Sequence, residues 1–173
     1  TDLYKPIHLN GSSNIVKIGW VGSHTTIKHF DQVINVLKRI KQKFNNNVAF
    51  KVIGDPDYVN LDLDIKGIAW DSNKEVELFN SFDIGIMPLP DNEWSRGKCG
   101  MKGILYMSTG KPAVMSAIGV NKEIVNHGEN GFLPEGEEQW YDVLCMLIDN
   151  KELREQIGVK GRECVNNKFS TIS

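Results

Sequence analysis

Apolar positions change their period repeatedly along the chain. Ile15–Gly22 (IVKIGWVG) is a short, mostly apolar run closed by glycine, the pattern of a strand buried on both faces. From Phe30 to Phe44 the apolar residues Phe30, Val33, Ile34, Leu37, Ile40 and Phe44 recur every three or four positions, as along one helix face, and Asn45, Asn46 and Asn47 end the pattern. Val48–Ile53 returns to a strand, stopped by Gly54, Asp55 and Pro56. Farther on, Ile65–Trp70 is a weaker strand candidate. Behind a Ser72 or Asn73 cap, Val76, Leu78, Phe79 and Phe82 then predict a short helix. Asp83–Pro90 predicts a strand, Met101–Ser108 a helix and Pro112–Ser116 a strand. Asn121–Asn126 predicts a short helix, Gly131–Leu133 a short strand, and Glu137–Asp149 and Glu152–Val165 two closing helices.

Strands alternating with helices at these lengths predict a doubly wound α/β domain, with a parallel sheet of about five or six strands and helices on both faces. Such sheets bind ligands at the carboxyl ends of their strands. That edge would gather the loops Gly22–His29, Gly54–Tyr58, Asp91–Gly100 and Ala117–Glu123. No repeat or low-complexity tract interrupts residues 15–173, which read as one domain.

Composition narrows the functions. At 173 residues, 40% hydrophobic and 24% charged, the chain can bury a sizeable core. No apolar run reaches the length needed to cross a bilayer, and the start TDLYKPIHLNGSSN lacks the basic and apolar regions of a signal peptide. A net charge of −2 gives no electrostatic reason to expect nucleic acid. Cys99, Cys145 and Cys164 are odd in number and widely spaced, which argues against a disulfide framework or a zinc site and suits reduced thiols of a cytoplasmic protein. Cys145 and Cys164 fall in helical segments as core or boundary residues. Cys99 lies in a basic loop, with no His and acid placed to make it a nucleophile.

That loop, DNEWSRGKCGMKG, sets Arg96, Lys98 and Lys102 among glycines where a helix begins. Cations are poorly placed at a helix N-terminus, so an anion such as a diphosphate would offset them, with Gly97 and Gly100 permitting close approach. If the helix starts near Gly97, Lys98 and Lys102 share one face of its first turn. The same residues also suit a solvated helix start. In WVGSHTTIKHF, Gly22 permits a tight turn while Ser23, Thr25, Thr26 and Lys28 offer hydroxyls and an ammonium. This loop lacks both G-x-G-x-x-G and G-x-x-x-x-G-K-[ST], and a plain capped turn would look similar. His24 and His29 flank it, and either can hydrogen-bond a phosphate oxygen or stand there without a role. His127 belongs to a turn and His8 to the N-terminal segment. No metal-ligand or Ser-His-Asp spacing emerges.

The order of motifs resembles the C-terminal, nucleotide-sugar-binding half of family 4 retaining glycosyltransferases of the GT-B fold. The resemblance rests on W-V-G-S-x4-K, D-I-G-I-M-P-L-P, Y-M-S-T-G-K-P-A-V, G-V-N-K-E-I-V, H-G-E-N-G-F-L and L-R-x-x-I-G-x3-R, and covers nearly the whole chain. It implies a Rossmann-like domain over residues 15–173, preceded by a linker remnant over residues 1–14 and by an absent acceptor-binding N-terminal domain. Lys28 matches the lysine such enzymes place on the donor diphosphate, while Gly100, Met101 and Lys102 fall where their helix start meets it. Gly22, Ser23, Thr25 and Lys98 complete the implied phosphate site, and the loops at Gly54 and Gly67–Trp70 would flank the base. The family's two glutamates, separated by seven residues, fall on Gly97 and Leu105, so both carboxylates are missing. Glu123 matches another acidic position near the donor. The resemblance implies a nucleotide-sugar donor as substrate, no metal or cofactor, and no assignable catalytic residue. It also leaves room for peripheral membrane association of the full-length protein. A non-catalytic binding module and half of a sugar-nucleotide epimerase remain alternatives.

Overall fold

The first strand, β1 (Val16–Val21), lies inside a parallel sheet, as its unbroken apolar run predicts. The computed structural model describes Tyr4 and residues 14–169; the linker expected over residues 1–14, His8 included, otherwise lies outside them. Next come α1 (Ile27–Phe30), α2 (Ile34–Phe44) and β2 (Val48–Ile53), then the short strands β3 (Val59–Asn60) and β4 (Ile65–Lys66). They are followed by α3 (Glu75–Asn80), β5 (Ile84–Met87), α4 (Glu93–Arg96), α5 (Met101–Ser108) and β6 (Ala113–Met115). The chain continues through α6 (Asn121–Ile124), α7 (Gly136–Asp149) and α8 (Lys151–Lys168).

The sheet runs β2-β1-β5-β6, all parallel, with Val16 opposite Val48, Ile18 opposite Ile84 and Met87 opposite Met115. Single parallel bridges from Ile68 to Ile53 and from Phe132 to Val114 extend it by one residue on each side. The expected five or six strands are thus four, plus two edge positions too short to form ladders. The expected strand Ile65–Trp70 is divided. Its first half turns back antiparallel on β3, and only Ile68 reaches the main sheet. The Lys38–Asp62 and Lys41–Asp64 ion pairs, at 2.6 and 2.9 Å, hold this hairpin against α2.

Both faces of the sheet are covered. On one, Ile18, Trp20 and Val52 pack with Phe30, Leu37 and Ile40 and with Leu144 and Ile148. On the other, Phe79, Phe82, Tyr106, Met107, Ile124 and Val165 meet Val21, Ile53 and Met115. The helix expected from Phe30 to Phe44 starts earlier, at Ile27, and is interrupted by a 3-10 turn over Asp31–Val33. Asn45, at φ +49°, ends it in a backbone conformation that asparagine tolerates better than most residues. Asp71 caps the 3-10 turn Ser72–Lys74 that leads into α3, its carboxylate accepting from the Asn73 N–H at 2.9 Å, while α3 itself starts behind Lys74 without the Ser72 or Asn73 cap expected.

Candidate functional site

The carboxyl ends of β1 and β2 come together through backbone contacts that leave no space for side chains. Gly54, at φ +102°, lies so close to the Gly22 carbonyl that an added Cβ would stand 1.8 Å from the oxygen. Its N–H donates to Ile68 O at 2.7 Å, while the Gly22 N–H donates to Ile53 O at 2.9 Å. The loops expected to flank a base are therefore contiguous with the loop that follows β1. Inside that loop the hydroxyls satisfy one another. The Ser23 N–H donates to Thr26 Oγ1 at 3.0 Å, and Ser23 Oγ and Thr25 Oγ1 share a hydrogen bond of 2.9 Å.

Helix α5 begins at Met101 rather than near Gly97, behind Gly100 at φ +65° with no side-chain cap. A Cβ at Gly100 would also press on Ile124, so glycine here serves both the turn and the packing against α6. Lys98 consequently sits in the loop ahead of the helix, and only Lys102 lies in its first turn. The Tyr106 hydroxyl fixes α5 on the sheet, accepting from the Val21 N–H and donating to the Ile86 carbonyl, each at 3.2 Å. The additional helical turn α4 is capped by Asn92, whose side chain accepts from the Ser95 N–H at 2.8 Å.

A cavity of about 340 Å³ opens in front of α5, lined by Trp20, His29, Met87, Pro88, Leu89 and the segment Gly97–Lys102. It gathers Lys98, Gly100, Met101 and Lys102 of the sequence-derived candidates. Lys102 Nζ lies 4.9 Å above the Trp20 ring, and Lys98 Nζ lies 3.8 Å above Trp94. Burial, then the charge of Lys98, pushes the Lys102 amine down to about 8 from the usual 10.5. Burial also lowers Lys98, against a small opposing effect of Cys99, and Lys28 adds repulsion. His29 is held below the ordinary histidine value by burial, then by Lys98, Lys102 and Lys28. Among the described residues, none of these three lysines has a carboxylate at ion-pairing distance. Arg96 differs, because Asp91 pairs with it at 2.7 Å and is held below the usual carboxylate range.

The remaining candidates lie around this cavity rather than on its wall. Lys28 is exposed on α1, near enough to act electrostatically on His29 and Lys98. Gly22, Ser23 and Thr25 form the preceding turn. Leu105 is half-buried against the second core cluster, and Glu123 is exposed on α6. Of the cysteines, Cys99 is exposed at the cavity, Cys145 is buried and Cys164 is half-buried, each a free thiol. A larger cavity, about 550 Å³, lies beyond Pro88 and Leu89 and is lined among others by Asp91, Ser116, Lys122, Glu137 and Trp140. Sequence reasoning missed the walls contributed by Trp20, Met87 and Leu89 and the stacking of Trp94 on His29. The signals were present: Trp20 precedes the loop glycine by two residues, and Asn92-x-x-Ser95 is a helix-start pattern.

The C-terminal domain of LpcC, a glycosyl transferase group 1 family protein from Francisella tularensis, superposes with a TM-score of 0.74 at 22% identity, over 99% of this chain and 98% of that one. HepE from Anabaena, solved with UDP and glucose, gives 0.76 at 18% identity over 98% of this chain and 50% of its own. TarM from S. aureus gives 0.77 at 19% identity over 98% of this chain and 35% of its own. The chain therefore spans about half of HepE and about a third of TarM. Sheet order, helix placement and these superpositions define the fold, that of the Rossmann-like C-terminal domains of GT-B glycosyltransferases. The sequence profile of glycosyl transferases group 1 matches residues 15–150, and the chain belongs to that family. No curated protein sequence matches it. Among the described residues no helix is long and apolar enough to cross a membrane.

Proposed function

We propose that this chain is the donor-binding domain of a retaining, metal-independent glycosyltransferase, holding a nucleoside diphosphate sugar at the mouth of the 340 Å³ cavity. The observation that carries the reading is the convergence of Lys28, Lys98 and Lys102, without carboxylate partners, at the uncapped start of α5. Three such cations repel one another and, where buried, resist charging; a diphosphate would offset both effects at once. In the reaction, the bond between the sugar's anomeric carbon and the diphosphate oxygen breaks, and the oxygen keeps the electron pair. Fixed ammonium groups and the helix start stabilise that leaving charge, so the protein itself supplies what a metal would otherwise provide. The new bond to an acceptor hydroxyl forms with retained anomeric configuration as the hydroxyl proton passes to the departing diphosphate oxygen, the acceptor being held by a further domain.

Backbone at Gly54 and Ile68 would border the base. Uridine is the first base to test, since HepE was solved with UDP. Gly97 and Leu105 provide no carboxylate to the sugar or ribose, which favours weak donor binding and keeps a non-catalytic binding module as the second reading. A thermal-shift screen against UDP, GDP, ADP, their sugars and the matching nucleosides tests the assignment, because a ligand of the native state raises its melting temperature. Stabilisation by a nucleoside diphosphate and not by its nucleoside supports it; equal responses contradict it. Release of nucleoside diphosphate by the full-length protein, dependent on an acceptor, separates the enzyme from the binding module. Interconversion of donor sugars without an acceptor would instead support an epimerase.

A further inference from the structure

His29 is 2% exposed, and both of its ring nitrogens are buried without a hydrogen-bond partner among the described residues. A neutral imidazole carries one donor and one acceptor, and burying them unpaired costs folding free energy. Buried polar atoms left unsatisfied in this way call for an explanation. The ring lines the same cavity as Trp20, Lys98 and Lys102, and Trp94 is stacked on it at 5.5 Å with the planes 23° apart. Trp94 is 59% exposed on the four-residue helix α4, with Lys98 Nζ 3.8 Å from its ring centroid. A neutral donor set among lysines has a distinct use. It directs a hydrogen bond at an anion without adding to the repulsion among the three ammonium groups.

We propose that His29 is a ligand-contacting residue whose imidazole N–H donates to a phosphate oxygen of a diphosphate seated among Lys28, Lys98 and Lys102, with Trp94 moving aside to admit it. The inference rests on the donor-binding reading above and adds to it a contact that supplies direction rather than charge. The buried imidazole is thereby given a polar partner.

The test is calorimetric titration of the 173-residue chain and of His29→Phe, which keeps a flat ring against Trp94, with UDP, uridine and inorganic pyrophosphate. His29→Phe should weaken UDP and pyrophosphate about tenfold, the scale of one hydrogen bond, leave uridine unchanged, and melt no lower than the wild type. Loss for UDP alone would place the contact on the nucleotide and overturn the phosphate assignment. Wild-type affinity of the variant for both phosphate ligands would overturn the role of His29 while leaving donor binding intact. A wild-type chain that binds neither overturns the donor reading and this inference together. Should the variant fail to fold, nitrogen NMR of the wild-type histidines during pyrophosphate titration decides: the His29 ring signals must move as the site fills, and fixed signals at saturation refute the contact.

Discussion

Replacing Lys102 with methionine keeps an unbranched, apolar side chain and deletes the ammonium, so the protein should gain stability while losing affinity for a diphosphate. The depression of the amine from 10.5 to about 8 corresponds to about 3 kcal/mol of penalty on the charged form near neutral pH, at about 1.4 kcal/mol per pH unit. Loss of the cation–π contact with Trp20, 4.9 Å below Nζ, returns about 0.5 to 2 kcal/mol of that. A net gain of about 1 to 2 kcal/mol should raise the melting temperature by about 3 to 6 °C in a domain of this size. The sign also fixes the pH dependence. Because the folded pKa lies below the unfolded one, the penalty is fully present below pH 8 and relieved as pH rises from about 8 towards 10.5. Wild-type stability should therefore climb across that window, and Lys102→Met should lose this residue's share of the climb. Urea unfolding at pH 7 and pH 10, beside titration with UDP and uridine, measures all three effects. A destabilised variant, or one that loses UDP and uridine equally, would show that Lys102 is a packing residue and not an anion ligand.

Lys28→Ala and Lys98→Ala should each weaken nucleoside diphosphate binding by about 1 to 3 kcal/mol and leave the nucleoside nearly unaffected, as read by calorimetry. Affinity for UDP should be level between pH 7 and 8 and fall above about pH 8 as free Lys102 loses its proton, by up to tenfold per pH unit, and Lys102→Met should flatten that fall. Leu105→Glu should tighten a ribonucleotide by about 1 to 2 kcal/mol but not an analogue lacking both ribose hydroxyls. Equal changes for the two ligands, in a folded variant, would mean that position 105 does not face the ribose. Gly54→Ala should cost more than about 1 kcal/mol in urea unfolding, since φ +102° and the Gly22 carbonyl both exclude a Cβ.

Period alone made most of the fold legible. β1, β2, β5 and β6 are buried apolar runs, and α5 and α7 match their predicted spans to within a residue at each end. Legibility failed where local polar chemistry outweighed period. Asp62 and Asp64 pair with lysines of α2 and hold a hairpin where a single strand was expected. Asn92 starts a helical turn inside what read as a loop. In the basic loop, charge pattern singled out Arg96, Lys98 and Lys102, because cations at a helix start are locally unfavourable and stand out for that reason. It could not show that Arg96, equally basic in sequence, is neutralised by Asp91 five residues earlier. Nor could it show that His29 and Trp94 stack, since that contact joins two short helices, α1 and α4, far apart in sequence.

A crystal structure of the chain soaked with UDP locates the diphosphate. Both phosphate groups should lie at the Gly100–Met101 backbone, with oxygens at hydrogen-bonding distance from the ammonium groups of Lys98 and Lys102 and with Lys28 turned towards them. Phosphates seated instead in the larger cavity beside Lys122, with the three lysines unengaged, would contradict that placement.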